Sequence, residues 1–575
     1  MRTLRFIFVI CLAACLSCIK VSPSPVPSGQ DSHSSRSLHR VALASGAYRG
    51  LHDPTTRSTV YYGIPYARAG RFKRPVPTEE DTRTVKQTTD ATQHSPACTN
   101  FNIPPPYDEG FKELLGSAPI APQSEDCLTM DVYVPDEAQT CDDQLPVLLF
   151  IAGGGFLNGA SFIYDMRPML EKATDLNKPF LGVVIQYRLG PFGFLNPSTR
   201  PDDFNLGLLD QREALRYVRD NIASFGGDPS RVTLMGQSAG AQSSLYQLLF
   251  ASAKEQLFHS IWLASVPSTA APFLQTETHS MDDIIAAVAE AAGCPANVTV
   301  NENVVCLEKV DAQKLVNVST EAWQGSGPSL GGLVSENVFE RIASKRYPDI
   351  PTVVSSCRDE GTSSAIGFKA DNEEASALGV QILINTAHRF DEEQAKKIVE
   401  DMLSAYPNDP ARGAPFDGRN TTYGEPSQYK RLSAIDTDST YTTAWLDYLS
   451  AFSSHSSRSK VWGLLFQEPI PGTSEAMGVQ HGSDLAFYFP TLLPDNDPRK
   501  FGKTSVVDAL HTSLIHFVHC GHPAAQEDGD KWSLYNEAQG STQVTSIGGR
   551  GNESIRTIAP PYRSGFDVIR RYFRP

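Results

Sequence analysis

The sequence predicts an α/β fold in which a mostly parallel central sheet is flanked by helices. Three observations point there. Pro146–Ala152 (PVLLFIA), Leu181–Tyr187 (LGVVIQY) and Val232–Met235 are continuous apolar runs without polar alternation, as expected of strands buried on both faces. Between the second and third, Leu215, Val218, Ile222 and Phe225 recur at spacings of three and four, the stripe of an amphipathic helix. That pattern stops at Gly226-Gly227-Asp228-Pro229, where glycine and proline end helices. Ile261–Ala264, Pro351–Val354 and Lys460–Phe466 read as later strands, and Val506–Val518 as a helix near the C-terminus. Residues 41–575 contain no internal repeat and no long linker after residue 44, so they read as one large domain with loop insertions.

The N-terminus reads as an address. Arg2 and Arg5 precede an uncharged run from Phe6 to Cys18, with Ser17 a small residue before a cut, so residues 1–18 are expected to be a secretory signal. Leu12-Ala13-Ala14-Cys15 also fits a bacterial lipoprotein box, which would instead tether the chain by lipid at Cys15. Residues 19–40, rich in serine and proline, are expected to form a solvated leader without a core. The 575 residues are 40% hydrophobic and 9% aromatic, which excludes wholesale disorder and fibrous repeats. Fifty Lys plus Arg against 65 Asp plus Glu give a formal charge of −15, which disfavours nucleic acid and anionic membrane as partners. No apolar run reaches about 18 residues, so no transmembrane segment is expected. Seven of the ten cysteines lie beyond the signal; in an oxidising compartment most should pair, and an odd count leaves one over. Asn297, Asn317, Asn420 and Asn552 open sequons available to N-glycans in a eukaryotic host.

The strongest chemical signal is Gly236-Gln237-Ser238-Ala239-Gly240, a G-x-S-x-G between the strand Val232–Met235 and a helix-compatible stretch, AQSSLYQLLF. A sharp turn there lifts the serine hydroxyl clear of the sheet, glycines let neighbouring backbone pass, and the helix N-terminus offers N–H donors to a developing negative charge. Gly153-Gly154-Gly155-Phe156 ends the strand Pro146–Ala152, where a second set of backbone donors belongs. A serine of ordinary acidity also needs a base and an orienting acid. The residues alone leave both open, because the chain has 13 histidines.

With these motifs the sequence resembles the type-B carboxylesterases, the family of cholinesterases, juvenile-hormone esterases and secreted fungal lipases. The likeness runs from about Val41 to about Asn536. Its markers are Tyr62-Gly63-Ile64-Pro65-Tyr66-Ala67, Arg71-Phe72, Ser124-Glu125-Asp126-Cys127-Leu128, Tyr187-Arg188-Leu189-Gly190, Phe192-Gly193-Phe194-Leu195, Asn205 through Gln211, and Phe225 through Pro229. The resemblance implies an α/β-hydrolase fold and a triad of Ser238, Glu360 in Asp359-Glu360-Gly361, and His481 in Gly478-Val479-Gln480-His481-Gly482. It implies an oxyanion hole made by the N–H groups of Gly154, Gly155 and Ala239, with no metal and no cofactor. It also implies disulfides Cys98–Cys127 and Cys294–Cys306, and buried ion pairs Arg71–Glu125 and Arg188–Asp210 in structural roles. Cys141, Cys357 and Cys520 match no bridge, and Cys357 is read as a buried free thiol.

Departures from the family pattern bear on substrate. Ala152 stands where a His or Tyr usually precedes the glycines, Gln237 replaces the acidic residue of cholinesterases, and Ser265-Val266 replaces a common Ser-Gly. Only Ala69-Gly70 separates Arg68 from Arg71. The segment between Cys98 and Cys127 carries Phe101, Tyr107 and Phe111 but no tryptophan, so a quaternary ammonium lacks its cation–π partner and a choline ester is not expected. Ile103, Phe111, Leu114 and Leu115 in the same segment would suit an amphipathic lid, as in the family's lipases; a static rim is the other reading. The expectation is a secreted, fungal-type microbial serine hydrolase acting on a small-molecule or lipid ester. A lipase variant on long-chain acylglycerols is the close alternative. A non-catalytic binding homologue is the remote one, since such members lose a triad residue and this chain retains all three.

Overall fold

Strand Leu145–Ile151 shows in one segment how the sequence builds the sheet. All seven residues are buried, and successive side chains leave opposite faces of a strand. Val147, Leu149 and Ile151 join one apolar cluster, whereas Leu148 and Phe150 join another. An uninterrupted apolar run is therefore what a strand covered on both sides requires. The computed structural model describes residues 39–44, 46–78, 88–100, 122–139, 143–252, 255–268, 281–322, 327–383, 390–493, 505–524, 531–549 and 554–573. The expected signal, nearly all of the leader, the lid residues 101–121, Cys141 and Asn552 lie outside them.

The main sheet has thirteen strands. They are β1 (Arg40–Leu43), β2 (Gly46–Asp53), β3 (Ser58–Pro65), β4 (Thr88–Ala91), β5 (Thr129–Pro135), β6 (Leu145–Ile151), β7 (Leu181–Ile185), β8 (Gly227–Gln237), β9 (Ser260–Ala264), β10 (Thr352–Cys357), β11 (Val461–Phe466), β12 (Val544–Ile547) and β13 (Ile555–Ile558). Across the sheet they run β1-β2-β3-β5-β7-β6-β8-β9-β10-β11-β12-β13, with β4 beside β2. From β7 to β12 every neighbour is parallel, while β1, β2, β3, β5 and β13 pair antiparallel at the two flanks. Five helices cover the centre: α1 (Arg167–Asp175), α2 (Leu206–Asn221), α3 (Ala239–Leu249), α4 (Thr443–Ser453) and α5 (Ser505–Cys520). α2, α3 and α4 pack on the face that carries Val147, Leu149 and Ile151; α1 and α5 pack on the other. This is the expected α/β arrangement.

Two smaller apolar clusters support insertions. One gathers helices Met281–Ala291, Val300–Leu307 and Ala312–Ala322, stapled by Cys294–Cys306. The middle helix begins in a reciprocal cap, with Thr299 and Glu302 each satisfying the other's backbone N–H, which settles two otherwise orphan donors. The other gathers Glu373–Leu383, Glu392–Ala405, Tyr429–Asp436 and the C-terminal helix Gly565–Phe573. Among the described residues no helix is long and apolar enough to cross a membrane.

Candidate active site

Register brings the functional segments to one edge. Ile151 of β6 pairs with Gly236 of β8, Gln237 with Ala264 of β9, and Ala264 with Ser355 of β10. The carboxyl ends of these strands therefore lie side by side, the usual place for a site in a parallel α/β sheet. Ser238 follows β8 directly and caps α3 at φ 56°, ψ −126°, a region that a residue with a Cβ visits only under constraint. The constraint is visible. The Ser238 N–H donates to the Ala264 carbonyl at 2.9 Å, and the Ser238 carbonyl accepts from Gln242 N at 2.9 Å. A Cβ at Gly236 would collide with the Gly240 backbone, and one at Gly240 with the Ile151 carbonyl, so the two motif glycines are required by packing.

The glycine loop after β6 lies against this turn. A Cβ built on Gly153 would stand 3.1 Å from the Ser238 Cβ and 2.6 Å from the Gln237 carbonyl oxygen. Gly154 and Gly155 have φ of +111° and +63°, and the Gly154 carbonyl is occupied by the N–H groups of Leu157 and Asn158. Ala239, the first residue of α3, is buried.

Glu360 and His481 meet the serine although they lie 122 and 243 residues beyond it. Ser238 Oγ is 2.7 Å from His481 Nε2, and His481 Nδ1 is 2.6 Å from Glu360 Oε2. In the neutral tautomer Nδ1–H donates to the carboxylate and the serine hydroxyl donates to Nε2. Glu360 is fully buried; its second oxygen accepts from the Cys357 N–H at 2.7 Å and the Ser356 hydroxyl at 3.1 Å. The Gln237 amide lies 3.4 Å from His481 Nε2, and the Tyr441 ring lies against the imidazole with centroids 4.6 Å apart.

Asp359 holds the acid and base segments together. Its fully buried carboxylate accepts from Val479 N and Phe416 N, each at 2.8 Å, and from the Arg358 guanidinium at 2.8 Å. The Asp359 N–H donates to the Val479 carbonyl at 3.0 Å, and the His481 N–H to the Glu360 carbonyl at 3.2 Å. Sequence reasoning had Asp359 only as a letter of the motif; nothing local announces a brace 120 residues long. Asp436 and Asp484 were also missed. Burial, reinforced by the Glu360 charge, pushes the Asp484 carboxyl up to about 7, and burial pushes Asp436 up to about 6. Desolvation thus holds both carboxyls well above the ordinary aspartate value.

Both expected disulfides are formed, Cys98–Cys127 and Cys294–Cys306. Cys357 is a free buried thiol, pushed up by burial, and Cys520 is also unbridged. Arg188 and Asp210 make the expected buried pair at 2.7 Å. Arg71–Glu125 is formed too, but side-chain exposures of 12% and 33% make it partly rather than fully buried. Arg71 also donates to the Leu307 and Val310 carbonyls, tying the loop after β3 to the disulfide-stapled insertion.

A serine on a strained strand–helix turn, reached by an imidazole and a buried carboxylate at the carboxyl edge of a parallel sheet, is the architecture of an α/β-hydrolase. The chain belongs to the carboxylesterase family, whose model matches residues 37–559, and it is a carboxylic ester hydrolase. It is 27% identical to lipase 1 of Geotrichum candidum over 90% of this chain and 92% of that one. It is 27% identical to secreted lipase 1 of Botryotinia fuckeliana, over 91% and 92%. To a secreted triacylglycerol lipase of Gibberella zeae it is 32% identical, over 69% and 66%.

Proposed function

We propose that the protein is a secreted serine hydrolase that cleaves carboxylic esters through an acyl-enzyme on Ser238, with His481 as base and Glu360 as the acid that orients it. The observation that carries this reading is the unbroken chain of short contacts, 2.7 Å from hydroxyl to imidazole and 2.6 Å from imidazole to carboxylate. His481 takes the serine proton as Oγ attacks the ester carbonyl, and Glu360 stabilises the resulting cation. The N–H groups of Gly154, Gly155 and Ala239 receive the oxyanion. Supporting this, the glycine loop and the start of α3 flank Ser238 from two sides, and the positive φ of Gly154 and Gly155 is what converging N–H donors need. The alcohol leaves with the proton from His481, water attacks the acyl-enzyme, and the same base activates that water.

The substrate class is an acylglycerol or a comparable lipid ester, the reading favoured by relatives that carry the name lipase. Secretion fits residues 1–18 as a signal and 41–575 as one catalytic domain, and the names of two relatives include the word secreted. Asn297, Asn317 and Asn420 are exposed, so glycans can reach them. The decisive experiment labels the protein with a fluorophosphonate and assays p-nitrophenyl esters of rising chain length beside emulsified triglyceride. Adduct on Ser238, its loss in Ser238→Ala, and a rate fall of at least roughly 10⁴-fold in that variant support the mechanism. Near-normal turnover by Ser238→Ala refutes it. Activity confined to short, soluble esters would replace the lipase reading with a small-ester esterase.

A further inference from the structure

Between helices Tyr429–Asp436 and Thr443–Ser453 the backbone widens into a π-helical turn, Thr437–Thr442, in which the Thr443 N–H donates back to the Asp438 carbonyl. Such turns are rare and recur at functional sites. This one is tied down on several sides. Thr437 Oγ1 accepts from the Gly361 N–H at 2.9 Å and donates to the Ser433 carbonyl at 2.7 Å. The Thr440 hydroxyl donates to Asp436 at 2.7 Å, and the Thr440 carbonyl accepts from Ser268 N at 2.6 Å. Trp445, just beyond the turn, donates from its indole to the Val354 carbonyl of β10 at 2.8 Å. The turn therefore grips the residue after Glu360 while it holds Tyr441 against the His481 ring.

Hydrogen bonds fix only the edges of that imidazole: Glu360 at Nδ1, Ser238 and the Gln237 amide at Nε2. They do not prevent the ring from swinging out of their common plane. A rigidly mounted aromatic surface does, and its π face also favours the ring once it is protonated. We propose that Tyr441 is a positioning residue for ester hydrolysis, its ring confining the His481 imidazole to the plane in which Glu360 and Ser238 both reach it. The proposal rests on the triad reading above, because it gives Tyr441 a role only through His481. The active part is the ring; the phenol hydroxyl is dispensable.

The test compares Tyr441→Phe, Tyr441→Leu and Ser238→Ala in the full chain, with kcat of the Tyr441 variants expressed per fluorophosphonate-reactive site so that unfolded protein does not count, and that of Ser238→Ala, which has no such site, per folded chain. Tyr441→Phe should keep kcat within about twofold. Tyr441→Leu should lose about five- to thirty-fold in kcat, the span of a desolvated cation–π contact, with KM for a p-nitrophenyl ester changed less than about twofold. A Tyr441→Leu enzyme with wild-type kcat overturns the proposal, as does a Tyr441→Phe enzyme as impaired as the Leu variant, or a loss that falls on KM. Should Tyr441→Leu fail to fold, Tyr441→Met takes its place and is judged by the same criteria. An active Ser238→Ala variant would instead remove the triad reading beneath the proposal, and the two failures are thereby distinguished.

Discussion

Glu360→Gln is the sharpest single perturbation of the proposed chemistry. The substitution preserves side-chain volume in a fully buried site. It can also preserve the acceptor that serves Cys357 N and Ser356 Oγ, so packing changes little. At the other oxygen, 2.6 Å from His481 Nδ1, the amide brings no charge and can turn a donor toward a donor. When the imidazole takes the serine proton, an ion pair with charge centres about 4 Å apart is missing. At an effective dielectric near 20 that pair contributes about 4 kcal/mol, equivalent to about a 10³-fold loss in kcat. Initial rates on p-nitrophenyl butyrate, normalised to sites titrated with a fluorophosphonate, measure this directly. A calorimetric Tm within a few degrees of wild type would show that the fold survives, since trading a buried carboxylate for a neutral isostere is often tolerated. A folded Glu360→Gln enzyme with kcat within about tenfold of wild type would refute the assignment of Glu360 as the orienting acid.

Three further outcomes follow from the geometry. Gly240→Ala places a methyl group on the Ile151 carbonyl, backbone that cannot yield, so the variant should lose at least about 2 kcal/mol of stability and most of its esterase activity; thermal melts and active-site titration check this. Asp484, raised to about 7 chiefly by burial, binds a proton in the fold at pH values where the unfolded chain has released it. Its contribution is therefore fully present below about pH 4 and lost as pH rises through about 7. The Tm difference between wild type and Asp484→Asn should shift in the variant's favour across that window and be flat above it. Buried His511 and part-buried His519, lowered to about 4 and about 3, slope the other way, so the variant difference rather than the absolute curve is the measurement. Replacing Cys294 and Cys306 with alanine opens a loop of 12 residues and should cost about 3 kcal/mol on the chain-entropy model, read as a lowered denaturant midpoint.

How much of this was legible in the chain depended on where the signal is stored. The strands β6, β7 and β8 announce themselves because burial on both faces leaves no room for polar residues. Their flanking partners do not: β2 (GAYRGLHD) and β4 (TTDA) mix charge, threonine and glycine, and their pairing is decided by neighbours far along the chain. The elbow at Ser238 was readable from its glycines and its position between strand and helix. Glu360 and His481 were not, since one histidine among 13 carries no mark; the family resemblance supplied both. Asp359, Asp436, Asp484 and Tyr441 escaped even that, because each acts through contacts made only after the chain has closed. The expected burial of Arg71–Glu125 was overestimated because sequence fixes the partners of an ion pair but not its depth.

The Asp359 brace has a consequence for how this enzyme fails. The acid and base segments lean on one another: a single carboxylate secures the base segment to the end of β10, and Glu360 returns the favour through its carbonyl. Loosening either strips the other of its anchor, so heat inactivation should proceed as one cooperative local collapse, with no populated species that keeps a tethered imidazole beside a wandering carboxylate.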